Sequence, residues 1–265
     1  MQSFADAAKP LTELKGYKEA EDSMSHLTAE QKVQWFRQHI AEKDQASYNQ
    51  IMAARRRRYT DFSLWGTSSE RTFSFDQWQP SWQPNTAKAE ELKNKARHLA
   101  YDCIKQHGRN IAAFGSAGTG KTAMVLAMLN AIKEHSHKTV MFVSTVPLSE
   151  MVHQFKDEQV QDTVRKTKDL MKSVDVLVLD DFGSEAGGMS GKGVASDSLQ
   201  RFYFDVAEAR QARDKNGKRL LTTIVTTNFN GQELYEKYNA KLISRLIAKR
   251  PENQLNFDGL EDVRD

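Results

Sequence analysis

Short runs rich in apolar and β-branched residues recur along the second half of the chain. They cover residues 110–114, 139–143, 176–179, 220–228 and 254–257. Short apolar runs are typical of strands buried in a parallel sheet. The segments between them repeat apolar residues at helical spacing, over residues 86–106, 123–133, 147–172 (one long helix or two), 196–215 and 241–249. This alternation predicts an α/β domain with a central parallel sheet flanked by helices.

The first 60 residues have a different pattern and predict a separate, small, all-α domain. Thr28 and Gln31 have the spacing of a capping box, in which each side chain bonds the other residue's backbone N–H. Apolar residues at roughly helical spacing then extend to Ile51. The earlier segment 4–21 predicts another helix, with Pro10 as its start. We predict two or three short helices over residues 1–60 that bind a partner protein.

Residues 61–85 predict a linker between this domain and the α/β domain over residues 86–265. The linker is rich in aromatic residues: Phe62, Trp65, Phe73, Phe75, Trp78 and Trp82. Such residues could stack on nucleic-acid bases or contact an adenine. An aromatic linker more often packs against the adjacent domain, and we favour that interpretation.

The bulk composition permits nucleic-acid binding without arguing for it. The formal net charge is +3 and the single cysteine, Cys103, excludes an intramolecular disulfide. No apolar run approaches the ~18–20 residues that span a bilayer, and the N-terminus lacks an apolar signal segment. We therefore expect a cytoplasmic protein with no membrane partner.

Two basic segments each leave two interpretations open. Four consecutive arginines, residues 55–58, could be a solvated helix end or a contact to phosphates or an acidic partner. The helical segment 147–172 alternates basic and acidic residues, which favours a solvated face over a DNA-binding one.

The segment that links strand 110–114 to helix 123–133 has the spacing G-x-x-x-x-G-K-[ST] of a phosphate-binding loop. Its residues are Gly115, Ser116, Ala117, Gly118, Thr119, Gly120, Lys121 and Thr122. Glycines let backbone N–H groups converge on phosphate oxygens at the start of a helix, where an anion is favoured. Lys121 should reach the β- and γ-phosphates, and the Thr122 hydroxyl should bind Mg²⁺. The loop predicts ATP and Mg²⁺ as ligands.

Two carboxylates follow the apolar run 176–179. The strand ends of a parallel sheet gather near the phosphates, so Asp180 should hold Mg²⁺, directly or through water. Asp181 should orient and polarise the attacking water. Asn228, at the tip of the strand 220–228, could position that water or belong to an ordinary turn. The glycine-rich segment 183–193 predicts a mobile loop near this site.

The order of these motifs, with Ser-Arg-Leu at residues 244–246, resembles the AAA+ ATPases. More narrowly, the chain looks like the DnaC/DnaI group of bacterial and phage replicative-helicase loaders. The supporting segments are residues 71–75, 179–185, 226–229, 243–246 and 257–259. The resemblance implies a sensor role for Asn228 and makes Arg245 a finger inserted into the next subunit's site. It also implies a fold without a C-terminal helical lid.

The same resemblance implies a function. The N-terminal domain would bind a hexameric replicative helicase, while the ATPase domains would self-associate and contact single-stranded DNA. The protein would help place that helicase on DNA at replication initiation. Most AAA+ proteins have glutamate where Asp181 stands, so hydrolysis by this chain could be slow. Two alternatives stay open: an IstB-type transposition helper ATPase, and a nucleotide-gated adaptor with negligible hydrolysis.

Overall fold

The computed structural model describes residues 28–66, 69–105, 108–154, 157–186 and 193–263. The chain divides into two compact units, residues 1–53 and 54–265. The described part of the first unit is helical. The predicted boundaries after residues 60 and 85 stay predictions.

The second unit is built on a parallel sheet of five strands. The strands are β1 Asn110–Phe114, β2 Val140–Ser144, β3 Val176–Asp180, β4 Thr222–Thr227 and β5 Gln254–Asn256. They lie in the order β2-β3-β4-β1-β5, with every neighbouring pair parallel. The predicted α/β class is confirmed. Because β1 lies between β4 and β5, the loop that follows β1 is flanked by the carboxyl ends of both strands.

The helices occupy most of the predicted positions. They are α1 Ala29–Asp61, α2 Thr86–Lys105, α3 Lys121–His135, α4 Thr145–His153, α5 Glu158–Ser173, α6 Asp197–Ala209, α7 Gly231–Lys237 and α8 Ala240–Leu246. Short 3₁₀ turns cover Pro80–Trp82 and Pro251–Asn253. The predicted segment 147–172 forms two helices, and Asp157 caps the second by accepting from the N–H groups of Gln159 and Val160.

Two apolar clusters cover the two faces of the sheet. Ile111 and Ala113 face α2 and α3, whereas Ala112 between them faces the helices α4 to α8. This alternation follows from the two-residue period of a strand. The sheet is therefore buried on both faces, and its polar strand ends are left for a functional site.

Helix α6 ends at Ala209, six residues before the predicted end at residue 215. Asp214 and Gly217 cause the difference, because they form a turn of their own. The Asp214 carboxylate accepts from the N–H groups of Asn216 and Lys218, and Gly217 has a φ of +74°. The chain therefore folds into a short hairpin before β4, with Arg213 opposite Arg219.

The aromatic linker packs on the α/β domain, as predicted. Trp65 stacks on Phe142 of β2 with ring centroids 4.3 Å apart, and Trp78 is only 6% exposed. Phe73 and Phe75 pack against the same cluster. Trp82 differs because 67% of its surface is exposed. Packing thus explains most of the linker's aromatic residues but leaves Trp82 available for a ligand.

Helix α1 begins at the predicted cap. The Thr28 hydroxyl accepts from the Gln31 N–H at 3.3 Å, and the Gln31 side chain accepts from the Thr28 N–H at 2.9 Å. The helix then runs without a break to Asp61, where several shorter helices had been predicted. Ile51, at an apolar position of that pattern, is exposed. The predicted earlier helix over residues 4–21 lies outside the described residues.

Acidic residues lie close to both basic segments. Within the arginine run, Arg55 lies 3.7 Å from Asp175 and Arg57 lies 3.6 Å from Asp61. The basic residues of α5 are paired with acids in Arg165–Asp162, Lys168–Asp205 and Lys172–Asp169. This pairing favours the solvated, structural interpretation of α5.

Most of the glycine-rich segment, residues 187–192, lies outside the described residues, so its predicted mobility stays a prediction. In the parts of the chain that the structure covers, no helix has the length and apolar character needed to cross a membrane.

Candidate nucleotide-binding site

Residues 115–122 connect the carboxyl end of β1 to the first turn of α3. Gly115 and Gly120 have φ angles of +145° and +91°, in the region that favours glycine. A Cβ on Gly120 would lie 2.5 Å from the Trp78 ring, so no larger residue fits there. The loop therefore exposes backbone N–H groups at a helix start, as an anion-binding loop requires.

Lys121 lies within this loop and is 7% exposed. Its Nζ donates to the carbonyl oxygens of Gly115 and Ser116, at 2.8 and 2.6 Å. These bonds place the positive charge beside the loop's first residues. The assignment of Lys121 to the β- and γ-phosphates stays a prediction, and the position of its ammonium group is compatible with it.

Thr122 and Asp180, the predicted Mg²⁺ ligands, are in direct contact. The Thr122 hydroxyl donates to Asp180 Oδ1 at 2.8 Å, and the Thr226 hydroxyl donates to the same oxygen at 2.7 Å. Burial raises the pKa of Asp180, while these two hydrogen bonds oppose that rise. A hydroxyl and a carboxylate are oxygen ligands of the kind that Mg²⁺ prefers alongside phosphates and water. The donor set therefore fits the ion.

Asp181 and Asn228 also meet. Asn228 Nδ2 donates to Asp181 Oδ1 at 2.8 Å, which joins the predicted water-orienting acid to the predicted sensor. Asp181 has a φ of +60°, and among the described residues it alone is a non-glycine with positive φ. Its N–H donates to Thr226 Oγ1 at 2.8 Å. Such a conformation persists only where its surroundings hold it, and it aims the Asp181 side chain toward Asn228.

Thr226 was not predicted as a site residue, although it bonds both acids. Its hydroxyl donates to the Asp180 carboxylate and accepts from the Asp181 N–H, while its carbonyl accepts from the Phe182 N–H at 2.8 Å. A threonine in a β-branched strand carries no sequence signal beyond strand propensity. The register of β3 against β4 reveals its role.

A second carboxylate, that of Glu185, stabilises the turn that contains Asp181. It accepts from Tyr238 Oη at 2.5 Å, from the Gly183 N–H at 2.9 Å and from Thr145 Oγ1 at 2.7 Å. Thr145 Oγ1 also lies 3.0 Å from the Asp181 carbonyl oxygen. The Thr145 hydroxyl has one proton for these two oxygens, so a protonated Glu185 that donates to Thr145 would free that proton for the Asp181 carbonyl. Burial raises the pKa of Glu185, which favours that form.

We expect Glu185→Ala to destabilise the fold more than Glu185→Gln does. Glu185→Ala leaves the buried Tyr238 hydroxyl and Gly183 N–H unpaired, at a cost of about 1–3 kcal/mol for each group. Glu185→Gln, which keeps a neutral hydrogen-bonding group, should cost much less. Denaturant unfolding of the full chain measures both. An alanine variant as stable as the glutamine variant would contradict this role.

The pH dependence of the same pair tests the raised pKa. A carboxyl whose pKa is higher in the folded state stabilises the fold below its unfolded pKa, and that stabilisation is lost as the pH rises through the folded pKa. The stability of the parent relative to Glu185→Gln should therefore improve from neutral pH toward the ordinary carboxyl range. A constant difference would show that folding does not raise the pKa of Glu185.

Arg245, the predicted finger, does not join this site in its own chain. Its guanidinium pairs with Glu208, donates to the Lys241 carbonyl at 2.9 Å and lies 4.9 Å from the Phe204 ring centroid. These partners belong to α6 and α8. A role in a neighbouring subunit would require release from Glu208, and it stays a prediction.

Two cavities adjoin the loop. A cavity of about 640 Å³ is bounded by the loop, by Asn228 and by α7, α8 and β5. A smaller apolar one, about 110 Å³, lies beside Gly120 and Ala123 and is lined by Phe73, Trp78 and Trp82. The loop thus has an open polar side and an aromatic side.

Comparison with known proteins places this geometry in a family. Residues 7–187, more than half of the chain, match the family described as IstB-like ATP binding protein. The chain belongs to this family. The phosphate-binding loop, the two acids and the parallel sheet are therefore parts of the fold of an IstB-like protein. ATP binding is the property that the family's description states.

Individual relatives connect this IstB-like protein to replication factors. It is 29% identical over 79 residues to the replicative helicase loader DnaI of Bacillus subtilis (strain 168), a match that covers 30% of this chain and 24% of DnaI. The match thus spans about a quarter of that curated relative.

Two solved structures show the same fold. A crystal structure of DnaI aligns with a TM-score of 0.50 at 20% identity, over 72% of this chain and 90% of that one. A putative primosome component from Streptococcus pyogenes serotype M3 aligns with a TM-score of 0.50 at 17% identity, over 73% and 88%. These matches confirm the predicted AAA+ P-loop ATPase fold. Among the described residues, none between β5 and Val263 is helical, and the absence of a lid stays a prediction.

Proposed function

We propose that this protein is an ATP-dependent helicase loader that acts during replication initiation. The observation that carries the proposal is the joined pair of contacts at the strand ends, Thr122 to Asp180 and Asn228 to Asp181. These contacts give one metal-binding pair and one water-orienting pair beside a phosphate-binding loop. The similarity to the loader DnaI supports replication as the setting.

In the proposed reaction, each residue of the site has one task. The loop residues 115–120 bind the phosphates through their N–H groups, and Lys121 neutralises charge on the β- and γ-phosphates. Thr122 and Asp180 would hold Mg²⁺, which supplies positive charge to the transferring phosphoryl group. Asp181, oriented by Asn228, accepts a proton from the attacking water. Arg245 of a neighbouring copy completes the site, so an isolated monomer hydrolyses ATP slowly.

The nucleotide base is assigned to the apolar cavity beside Gly120. Trp82 is the exposed aromatic residue of its lining, and stacking of a base on an aromatic side chain contributes about 1–3 kcal/mol. Trp82→Ala should therefore weaken the binding of ATP roughly 5- to 100-fold. It should weaken the binding of ADP by the same factor, because the two nucleotides share the base. Tyr101→Ala, at an exposed aromatic residue of α2, is the matched control. If Trp82→Ala bound ATP as tightly as Tyr101→Ala does, the base would lie outside this cavity.

The partner assignment needs a direct test with the full chain. We expect it to co-elute with the replicative helicase of its source organism or host, and the complex to persist with ATP and oligothymidylate. Loss of that complex after deletion of residues 1–53, with the ATPase unit still folded, would support helicase binding through the N-terminal unit. Absence of any complex with the full chain would refute the loader assignment.

The IstB-like family match keeps open a second candidate, the transposition helper ATPase that the resemblance to IstB-type proteins implies. It predicts a different behaviour: co-purification with a transposase and multimerisation on duplex rather than single-stranded DNA. Size-exclusion chromatography of the full chain with a DNA duplex, and separately with oligothymidylate, distinguishes the two candidates.

A further inference from the structure

A basic cleft lies at the amino-terminal edge of the sheet. Of the residues that the structure describes, six cations and one acid, Glu252, line it. The six cations are Arg109, Arg213, Lys218, Arg219, Lys249 and Arg250. Its volume is about 710 Å³. The cleft is separate from the nucleotide site, because Arg109 precedes β1 whereas the phosphate-binding loop follows β1. Five residues of strand at about 3.3 Å each separate the two edges by roughly 15 Å.

The hairpin before β4 holds part of this charge in place. Arg213 faces Arg219 across the hairpin, and the Arg213 Nη1 donates to the Gly217 carbonyl at 2.7 Å. Arg219 donates to the side chains of Asn110 in β1 and of Gln211, two residues after the end of α6, and these bonds fix its guanidinium. Its buried Nε has no hydrogen-bond partner among the described residues. The cleft therefore contains a guanidinium that side-chain hydrogen bonds hold in place.

Acids compensate only part of the positive charge. Arg109 pairs with Asp102 at 2.8 Å, and Arg250 lies 3.8 Å from Glu252. Among the residues that the structure describes, Arg213, Lys218 and Lys249 have no carboxylate within 4.0 Å. The basic residues of α5, by contrast, are largely paired with acids. The cleft is thus the better candidate for an anionic partner.

The lining also indicates which polyanion fits. Among the described residues no aromatic side chain lines the cleft, and its apolar members are the aliphatic side chains of Ile247 and Ala248. It offers neither a platform for stacked bases nor a pocket for a large apolar side chain. Guanidinium and ammonium groups, with the Asn253 and Ser244 side chains, suit phosphate oxygens. This chemistry favours a nucleic-acid backbone over an acidic peptide with apolar anchors.

We infer that this cleft binds the phosphodiester backbone of single-stranded DNA, without sequence preference, at the edge of the sheet opposite the nucleotide. The choice of a single strand rests on the proposed loader function. Binding is therefore strongly salt-dependent, since each phosphate contact releases counterions. ATP and DNA can be bound at the same time because their sites do not overlap.

The test measures binding of fluorescently labelled oligothymidylate to the full chain at several salt concentrations. The Arg213→Ala/Lys218→Ala variant should lower the slope of log affinity against log salt by about 0.7 for each lost contact, hence about 1.4 in total. The Arg165→Ala/Lys166→Ala variant removes the same charge from α5 and should keep the parent slope. Lys218→Glu, which leaves the Arg213 bond to the hairpin intact, should weaken binding further than Lys218→Gln.

Each outcome bears on the cleft separately from the loader function. An unchanged slope in the cleft variant, a loss confined to the α5 variant, or equal competition by an acidic polypeptide would overturn the inference. Tighter binding of a matched duplex, lost in the cleft variant, would overturn the single-strand assignment. ATP affinity should be unchanged in all these variants. Parent-like oligothymidylate binding without helicase binding would refute the loader proposal while leaving the cleft intact.

Discussion

Lys121→Ala should abolish ATP hydrolysis and weaken ATP binding by roughly 10- to 100-fold. The side chain is the buried cation of the loop and lies beside the first loop residues. A hydrogen bond to a charged group contributes about 1.5–3 kcal/mol, and a factor of ten in affinity corresponds to about 1.4 kcal/mol. Titration with a fluorescent ATP analogue measures the affinity, and phosphate release measures the rate.

The matched control for this variant lies on the same helix. Lys133→Ala removes a cation at the far end of α3, where it pairs with Glu70 at 2.9 Å on the surface. It should leave affinity and rate unchanged. If both variants bound ATP as the parent does, the phosphate site would lie outside this loop.

Asp181→Asn should separate binding from chemistry. The substitution keeps the size of the side chain and an oxygen that can accept from Asn228 Nδ2, but it removes the negative charge that accepts a proton. Positioned general bases contribute about 10²- to 10⁴-fold, so hydrolysis in the assembled state should fall within that range. ATP affinity should stay within about twofold of the parent, because Thr122 and Asp180 keep their positions.

The outcome also discriminates between the functional alternatives. Unchanged hydrolysis would mean that another group orients the water. Negligible hydrolysis by the assembled parent, with helicase complexes still responsive to ATP, would instead favour a nucleotide-gated adaptor. In that case the short carboxylate at Asp181 gates assembly without a fast chemical step.

Residues of the site that are close in sequence were predictable from sequence alone. The loop has a fixed spacing between a strand and a helix, and Asp180 and Asp181 end an apolar run. Asn228 was placed correctly at the tip of a strand, because the ends of parallel strands gather at one edge. Its bond to Asp181 is a distance that no spacing rule provides.

The supporting contacts escaped prediction because they join distant parts of the chain. Thr226 reaches Asp180 across 46 positions, and Thr145 reaches Glu185 across 40. Thr226 and Thr145 have no distinctive local pattern, and a charged residue such as Glu185 is ordinarily expected in solvent. The early end of α6 has the opposite origin, since local turn chemistry at Asp214 and Gly217 overrode helical periodicity.

Arg245 shows a further limit of sequence reasoning. Its position in the motif order suggests a finger, yet a finger acts only between subunits. Within one chain, its charge is already neutralised by Glu208. Assembly therefore decides whether this residue contributes to the reaction.

The most direct test of the account is a loading assay with the full chain. The replicative helicase of the source organism or host is mixed with circular single-stranded DNA, ATP and either the parent protein or Lys121→Ala. The account predicts that helicase bound to the circle rises with the parent and stays at the helicase-alone level with the variant. Equal loading by parent and variant, or no increase with either, would contradict an ATP-dependent loader.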